Sequence, residues 1–507
     1  MIKTNTEGNS KENNTTYDHI VKYIGLFGGV QGIIMLIGVL RNKAAAYFLG
    51  ASGLGLINVY NKVIGLVNQA TNLGISFSAV KHVAELSDVA DKRRLTELVG
   101  TVRAWSLMTA ALGVLVGLLM APLLSWWTFK DYSYTHTFCI LSLVVAMMAI
   151  TGGEIAILKG LKQLKKVAVI SLFATLATLL VCVPLYYIWG VGSVLWSLVL
   201  SNAAVLAIHL HYSTKVVPWS AAILELKRVK DGIPMAKLGI AFVLAGILGQ
   251  GADYLIIAFL QNNGGGLDTV GLYNAGYFLA ANIGSLLFVA VEADFFPRLS
   301  ALSNDFVEMN RTVNRQIKAC VLLMAPCLML EVLAIPVLVP LLYTSAFSQA
   351  APMAVYGIFY LFFKAMTLPV AYLALAKGDS GTYLVAELLY DLFIALAIPV
   401  AFEHYGLVGA GFALSLAGVF DFVLILVYYG VKFKFRMDFS PFKIYILQFL
   451  LLAACVYSFT MPVLWMRLAV NVGALVCSAV LSYRHLGRET EIIKRFTGKI
   501  RHKIKGV

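Results

Sequence analysis

The chain has 507 residues, of which 60% are hydrophobic and 13% charged, with a formal net charge of +14 and a mean hydropathy of +0.82. Ordinary soluble domains carry roughly 25% charged and about 45–50% apolar residues, so a soluble enzyme is excluded and the chain reads as a polytopic membrane protein. Long continuous apolar runs, as at 106–124 and 140–150, are helical spans; barrel strands would instead alternate over about 10 residues.

The stretch 1–19 is polar and reads as a cytoplasmic tail. The apolar run that begins at Ile20 lacks a small-residue cleavage pattern, so it is expected to be the first spanning helix rather than a cleaved signal. Helices over 20–40, 53–80, 99–124, 136–158, 167–189 and 191–213 form a first six-helix bundle, 20–213. A cytoplasmic linker, 214–237, contains Glu225-Leu226-Lys227-Arg228 and has the composition of a surface helix. Helices over 238–261, 271–296, 317–342, 351–376, 382–402 and 407–430 form a second bundle, 238–430. A further pair over 444–461 and 463–483 precedes a basic tail, 484–507. The expected fold is all-α, with about 14 transmembrane helices of about 20 residues each.

Cytoplasmic loops carry excess Lys and Arg. With the N-terminus inside, 33 of the 40 basic residues fall on the cytoplasmic side and three on the other (Arg41, Lys43 and Lys130); Lys62, Arg103, Lys364 and Arg467 fall inside helices. Both termini are therefore expected in the cytoplasm. The basic loops face anionic lipid heads, so membrane lipids account for the charge and no nucleic-acid partner is needed. The six cysteines lie in or beside apolar runs with no CxxC pair, and read as packing residues rather than metal ligands or disulfides.

The two halves repeat. Gly55-Leu56-Ile57-Asn58 matches Gly271-Leu272-Tyr273-Asn274, and at the same offset Leu86-Ser87 matches Leu302-Ser303. Six helices per half make the bundles parallel repeats about an axis along the membrane normal, as in many transporters.

Several segments resemble one family. Leu49-Gly50-Ala51-Ser52-Gly53-Leu54-Gly55-Leu56 is similar to the junction of the first two helices of O-antigen translocases, the flippases of undecaprenyl-pyrophosphate-linked repeat units. Val80-Lys81-His82-Val83-Ala84-Glu85 resembles the end of their second helix, and Leu158-Lys159-Gly160 the exit of their fourth. Val270-Gly271-Leu272-Tyr273 and Phe296-Pro297-Arg298-Leu299-Ser300 resemble the two ends of their eighth. Tyr372-Leu373-Ala374-Leu375-Ala376-Lys377 and Ala386-Glu387 resemble their tenth and eleventh. The ordered series covers 20–430 and implies the multidrug/oligosaccharidyl-lipid/polysaccharide exporter superfamily. The resemblance implies two six-helix bundles around a central cavity, alternating access, and placement in a bacterial inner membrane. It also implies a lipid-linked oligosaccharide substrate and a polysaccharide polymerase as a partner.

A flippase must carry a charged, hydrated head through a costly hydrocarbon layer. Cations away from the cytoplasmic loops suit its phosphates: Arg41, Lys43, Lys62 and Lys364. Snorkelling to headgroups is the alternative use of such residues, and it suits Arg103 and Arg467, near helix ends. Asn58, Asn61, Asn68 and Asn72 share a helical face and suit sugar hydroxyls; the same amides also serve as polar glue between helices. Acidic residues within helices are Glu154, Asp253, Glu292, Asp294, Glu331, Glu387, Asp391 and Asp421. Asp253 and Glu292 are the candidates to bind a coupling proton or sodium ion, with interhelical pairing the other use of every acid in this set. Glu387 and Asp391, four apart, share a face. No other cofactor, metal site or enzyme motif is expected. A multidrug antiporter would call for an acid in the first helix, and 20–40 holds none. A polymerase or ligase would need a sizeable external loop, and none exceeds roughly a dozen residues on this topology.

Overall fold

The computed structural model describes residues 7–87, 92–219, 232–282, 284, 288, 295–296, 298–302 and 305–486; within these, the side chains of 7–29, 77, 87, 92, 234–242, 245 and 282 are not described. The chain is all-helical there, and its segments follow the fourteen expected helices in order. One helix over Glu7–Thr71 breaks at Gly50 (φ 69°) into α1, 7–49, and the first part of α2, 51–71. Only glycine adopts that backbone freely. The rest of α2 is Ile75–Ser87. Then come α3 (Lys92–Phe129), α4 (Thr135–Gly160), α5 (Leu164–Trp189), α6 (Val194–Val216) and α7 (Ile233–Asn263).

Helix α8 opens with Leu267–Tyr277 and continues into a π-helical turn, Phe278–Asn282. Helix α9 is Phe306–Leu342, capped by Asp305, whose carboxylate accepts from the Glu308 amide. Helix α10 has two parts, Ala350–Gly357 and Phe359–Ala376. A helix over Ser380–Phe433 breaks at Gly406 (φ 59°) into α11, 380–405, and α12, 407–433. The final pair is α13 (Phe442–Ser458) and α14 (Leu464–Leu486).

Two expectations are corrected. The first helix does not stop at residue 40: it runs on to Leu49, so Arg41 and Lys43 sit within the helix rather than at its end. The second is not continuous. Residues 72–74 leave the helix, with Leu73 and Gly74 at φ 50° and 66°. Asn72 shapes this break, its Oδ1 accepting from the Gly74 amide at 2.7 Å.

The described chain divides into two compact units. One comprises 1–53 and 60–250, the other 54–59 and 251–507. Lipid gives helices no hydrophobic reason to associate, so close backbone approach and internal polar bonds must hold each unit. In the first, α3 and α4 approach where α3 is small: a Cβ on Gly113 would lie 2.8 Å from Val145 Cγ1, and one on Gly117 2.6 Å from Ser142 Cβ. In the second, Gly411 and Gly418 of α12 pass against the backbone of α10 at Met353 and Tyr360. The last pair packs on α9. Its seam is polar: Ser478 Oγ donates to Gln448 Oε1 at 2.5 Å, and Asn471 Nδ2 donates to Ser458 Oγ at 2.6 Å.

Candidate functional site

In the first unit, Arg41 and Lys43 of α1 and Lys62 of α2 are each half-buried. Arg41 bears electrostatically on Tyr186 of α5. The amides of α2 divide in use. Asn58 Nδ2 donates to the Leu54 carbonyl of its own helix at 2.8 Å, Asn61 is exposed, and Asn72 serves the break. Asn68 Oδ1 is buried and accepts no hydrogen bond from the described residues. The same face packs on α7 through small residues: a Cβ on Gly65 would lie 2.8 Å from Gln250 Oε1, and one on Gly246 would run into the Gln69 side chain. Part of the stripe is thus glue between helices, while Asn61 is exposed.

Arg103 does not snorkel. It is 2% exposed, and its Nε and Nη2 donate to Glu154 of α4 at 2.9 and 3.1 Å. It also donates to the Val217 and Pro218 carbonyls and lies over the Trp219 ring. Glu154 is likewise an interhelical partner. Burial forces this geometry, because neither charge could be left unpaired in the interior.

In the second unit, five helices bring ionisable groups to one half-buried place. Lys364 Nζ of α10 lies 3.5 Å from Asp421 Oδ2 of α12, and Thr367 Oγ1 donates to the same oxygen at 2.8 Å. The ammonium also lies over the Tyr390 ring, 5.6 Å from its centroid. Glu387, Tyr360 and Tyr383 bear on it electrostatically. Asp391 of α11 bears on Glu387, Asp253 of α7 and Lys364, and Tyr277 of α8 faces the same set. One ammonium therefore stands among four carboxyl groups. Asp421 thus holds the ammonium that the sequence offers to a pyrophosphate. Asp253 is within the group. Glu292 and Asp294 lie outside the described residues.

Sequence reasoning missed the tyrosines. Tyr383, Glu387, Tyr390 and Asp391 fall at helical spacing on one face of α11, a signal that was present. Thr367, one turn from Lys364, was the other. Among the described residues no group of His, Cys, Asp or Glu has the makings of a metal site. The second unit also has an apolar groove of about 980 Å³ along α10, α11, α12 and α13, lined by Phe359, Phe363, Phe393, Phe412 and Phe449 among others.

No curated protein sequence matches the chain. Among solved structures it is similar to a multidrug resistance MATE family transporter of the MOP superfamily in an inward-facing conformation (TM-score 0.66, 11% identity, 79% of this chain and 94% of that one). It is also similar to the lipid II flippase MurJ in an inward closed conformation (TM-score 0.65, 15% identity, 91% of this chain and 99% of that one). At such identity the likeness establishes the fold. A family model described as "Polysaccharide biosynthesis protein" matches residues 45–352, more than half of the chain. The chain belongs to that polysaccharide biosynthesis family and has the helical transporter fold of the MOP superfamily.

Proposed function

We propose that the protein is a flippase for undecaprenyl-pyrophosphate-linked oligosaccharides, such as O-antigen repeat units, moving them across a bacterial inner membrane by alternating access. Both termini face the cytoplasm, and a polysaccharide polymerase takes up the product. The observation that carries this reading is the half-buried trio Arg41, Lys43 and Lys62 within spanning helices of a polysaccharide-biosynthesis family member. Charge at that depth is costly and is kept where it serves a wet path. Arg offers a bidentate fork to phosphate and Lys a point charge. Asn61 beside Lys62, and the free acceptor of Asn68, suit sugar hydroxyls. The apolar groove of the second unit suits the polyprenyl tail. Asp253, together with Glu387 and Asp391, supplies a place for a coupling proton or sodium ion, since crowded carboxyls favour an added cation. Glu292 remains a candidate for the same role.

A multidrug antiporter is the second reading, favoured by one observation: the four carboxyls around Lys364 suit an organic cation better than a phosphate. The test is the triple variant Arg41→Gln, Lys43→Gln, Lys62→Gln. Loss of each phosphate contact should cost about 1.5–3 kcal/mol, so flipping should collapse while membrane insertion persists; Lys-to-Arg changes should retain activity. Normal surface polysaccharide from the triple variant, at matched protein level, excludes the cationic path.

A further inference from the structure

Helix α9 carries a carboxyl that the Lys364 group does not use. Glu331 lies in the apolar part of Phe306–Leu342, between Pro326 and Pro336. It is 5% exposed, and its Oε1 is buried with no hydrogen-bond partner among the described residues. A Cβ built on Gly284 of α8 would lie 3.6 Å from Glu331 Oε2, 3.4 Å from Leu328 Cδ2 and 2.6 Å from Leu361 Cδ1. The carboxyl thus meets α8 at a missing side chain, with Leu328 of its own helix and Leu361 of α10 beside it. Two residues before Gly284, the π-helical turn Phe278–Asn282 ends. Such turns within helices occur frequently at functional sites.

One titratable group interacts with it: Glu331 bears electrostatically on Cys327, one turn back on α9. The described groups on the neighbouring helices have partners of their own. On α10, Lys364 is held by Asp421 and Tyr360 belongs with it. On α14, Arg467 lies over the Phe459 ring. On α13, Gln448 bonds Ser478 and Ser482. Glu292 and Asp294 lie outside the described residues. A carboxylate without a partner charge is poorly tolerated in such surroundings, whereas the neutral acid has only a hydrogen bond to forgo.

We propose that Glu331 is a proton-binding site of the transport cycle, separate from the Lys364 group. In this packing the carboxyl holds its proton as the O–H acid. When the α8–α9 contact opens to water, the proton passes to a water molecule, leaving a carboxylate and a hydronium ion; reprotonation from hydronium resets the site. The binding of the proton is independent of cargo, and its use in transport rests on the flippase reading.

Difference infrared spectra between low and high pH, on the full-length protein in liposomes, test this. Wild type should show a carboxylic C=O band at the frequency of an acid without a hydrogen-bond acceptor, shifted in D2O. Glu331→Gln should lose it, and Glu331→Asp should keep it at an altered position. The same band undiminished in Glu331→Gln overturns the proposal; should that variant misfold, Glu331→Met serves for the same comparison. A second arm measures flipping of a fluorescent undecaprenyl-pyrophosphate disaccharide against pH. Wild type should respond to pH and Glu331→Gln should not; an unchanged response in the variant overturns the role in transport. A wild type that flips nothing, yet shows the band, overturns the cargo and leaves the proton site standing.

Discussion

Arg103 donates to both oxygens of Glu154, to two carbonyls beyond α6, and stacks on Trp219. A charge so held is structural, and its removal has a predictable consequence. Arg103→Leu leaves Glu154 buried and alone, which should cost about 3–5 kcal/mol. Arg103→Met combined with Glu154→Leu removes both charges and should recover most of that loss, because an apolar pair of similar volume avoids desolvating two ions. Thermal unfolding of the detergent-solubilised protein measures it: the double variant should melt above the single, and equal melting would show that packing rather than charge holds the site. Lys364 differs in kind. Its side chain is 22% exposed and shares a pocket with three further acids besides Asp421, so it remains available to a transport cycle in a way Arg103 is not.

At the scale of elements, glycines decide where helices cross. A Cβ on Gly55 of α2 would run into the Leu267 carbonyl at the start of α8 and lie 3.1 Å from the Gly271 amide nitrogen. Gly55 and Gly271 are the matching first residues of the repeated Gly-Leu motif, so the repeat marks a backbone crossing within the second unit. Gly38 of α1 has nothing within 4 Å of its would-be Cβ. Gly55→Ala is therefore expected to abolish transport while the protein still inserts, and Gly38→Ala to be neutral, with flipping assayed at matched protein level. Equal activity of the two would remove the crossing from the mechanism. Helix positions themselves were legible, because each apolar run is long enough to span. Their ends were less so. Arg41 and Lys43 read as the end of the first helix, yet the turn needs only Gly50, and a polar side chain is compatible with a helix end or a helix interior. The break at 72–74 was hidden for a similar reason: Asn72 counts as one more amide on a wet face until its bond to the Gly74 amide is seen.

For the whole molecule, a chain whose described residues form fourteen helical segments, similar in fold to MurJ and to MATE transporters, belongs to a polysaccharide biosynthesis family. Composition and the ordered family motifs carried that much. The candidate site was legible only as a set of charged residues inside helices. Partners such as Thr367 and Asp421, 54 positions apart, come together through tertiary packing, which no local pattern records. The tyrosines of α11 stood at readable spacing beside Glu387 and Asp391, and aromatic residues in a spanning helix are too common to stand out. The most direct measurement is the leaflet in which undecaprenyl-pyrophosphate-linked oligosaccharide collects when the protein is depleted. A flippase predicts accumulation of the complete repeat unit in the cytoplasmic leaflet, relieved by the wild-type chain and not by the triple variant at Arg41, Lys43 and Lys62. Unchanged distribution between the leaflets on depletion, with surface polysaccharide intact, would contradict it.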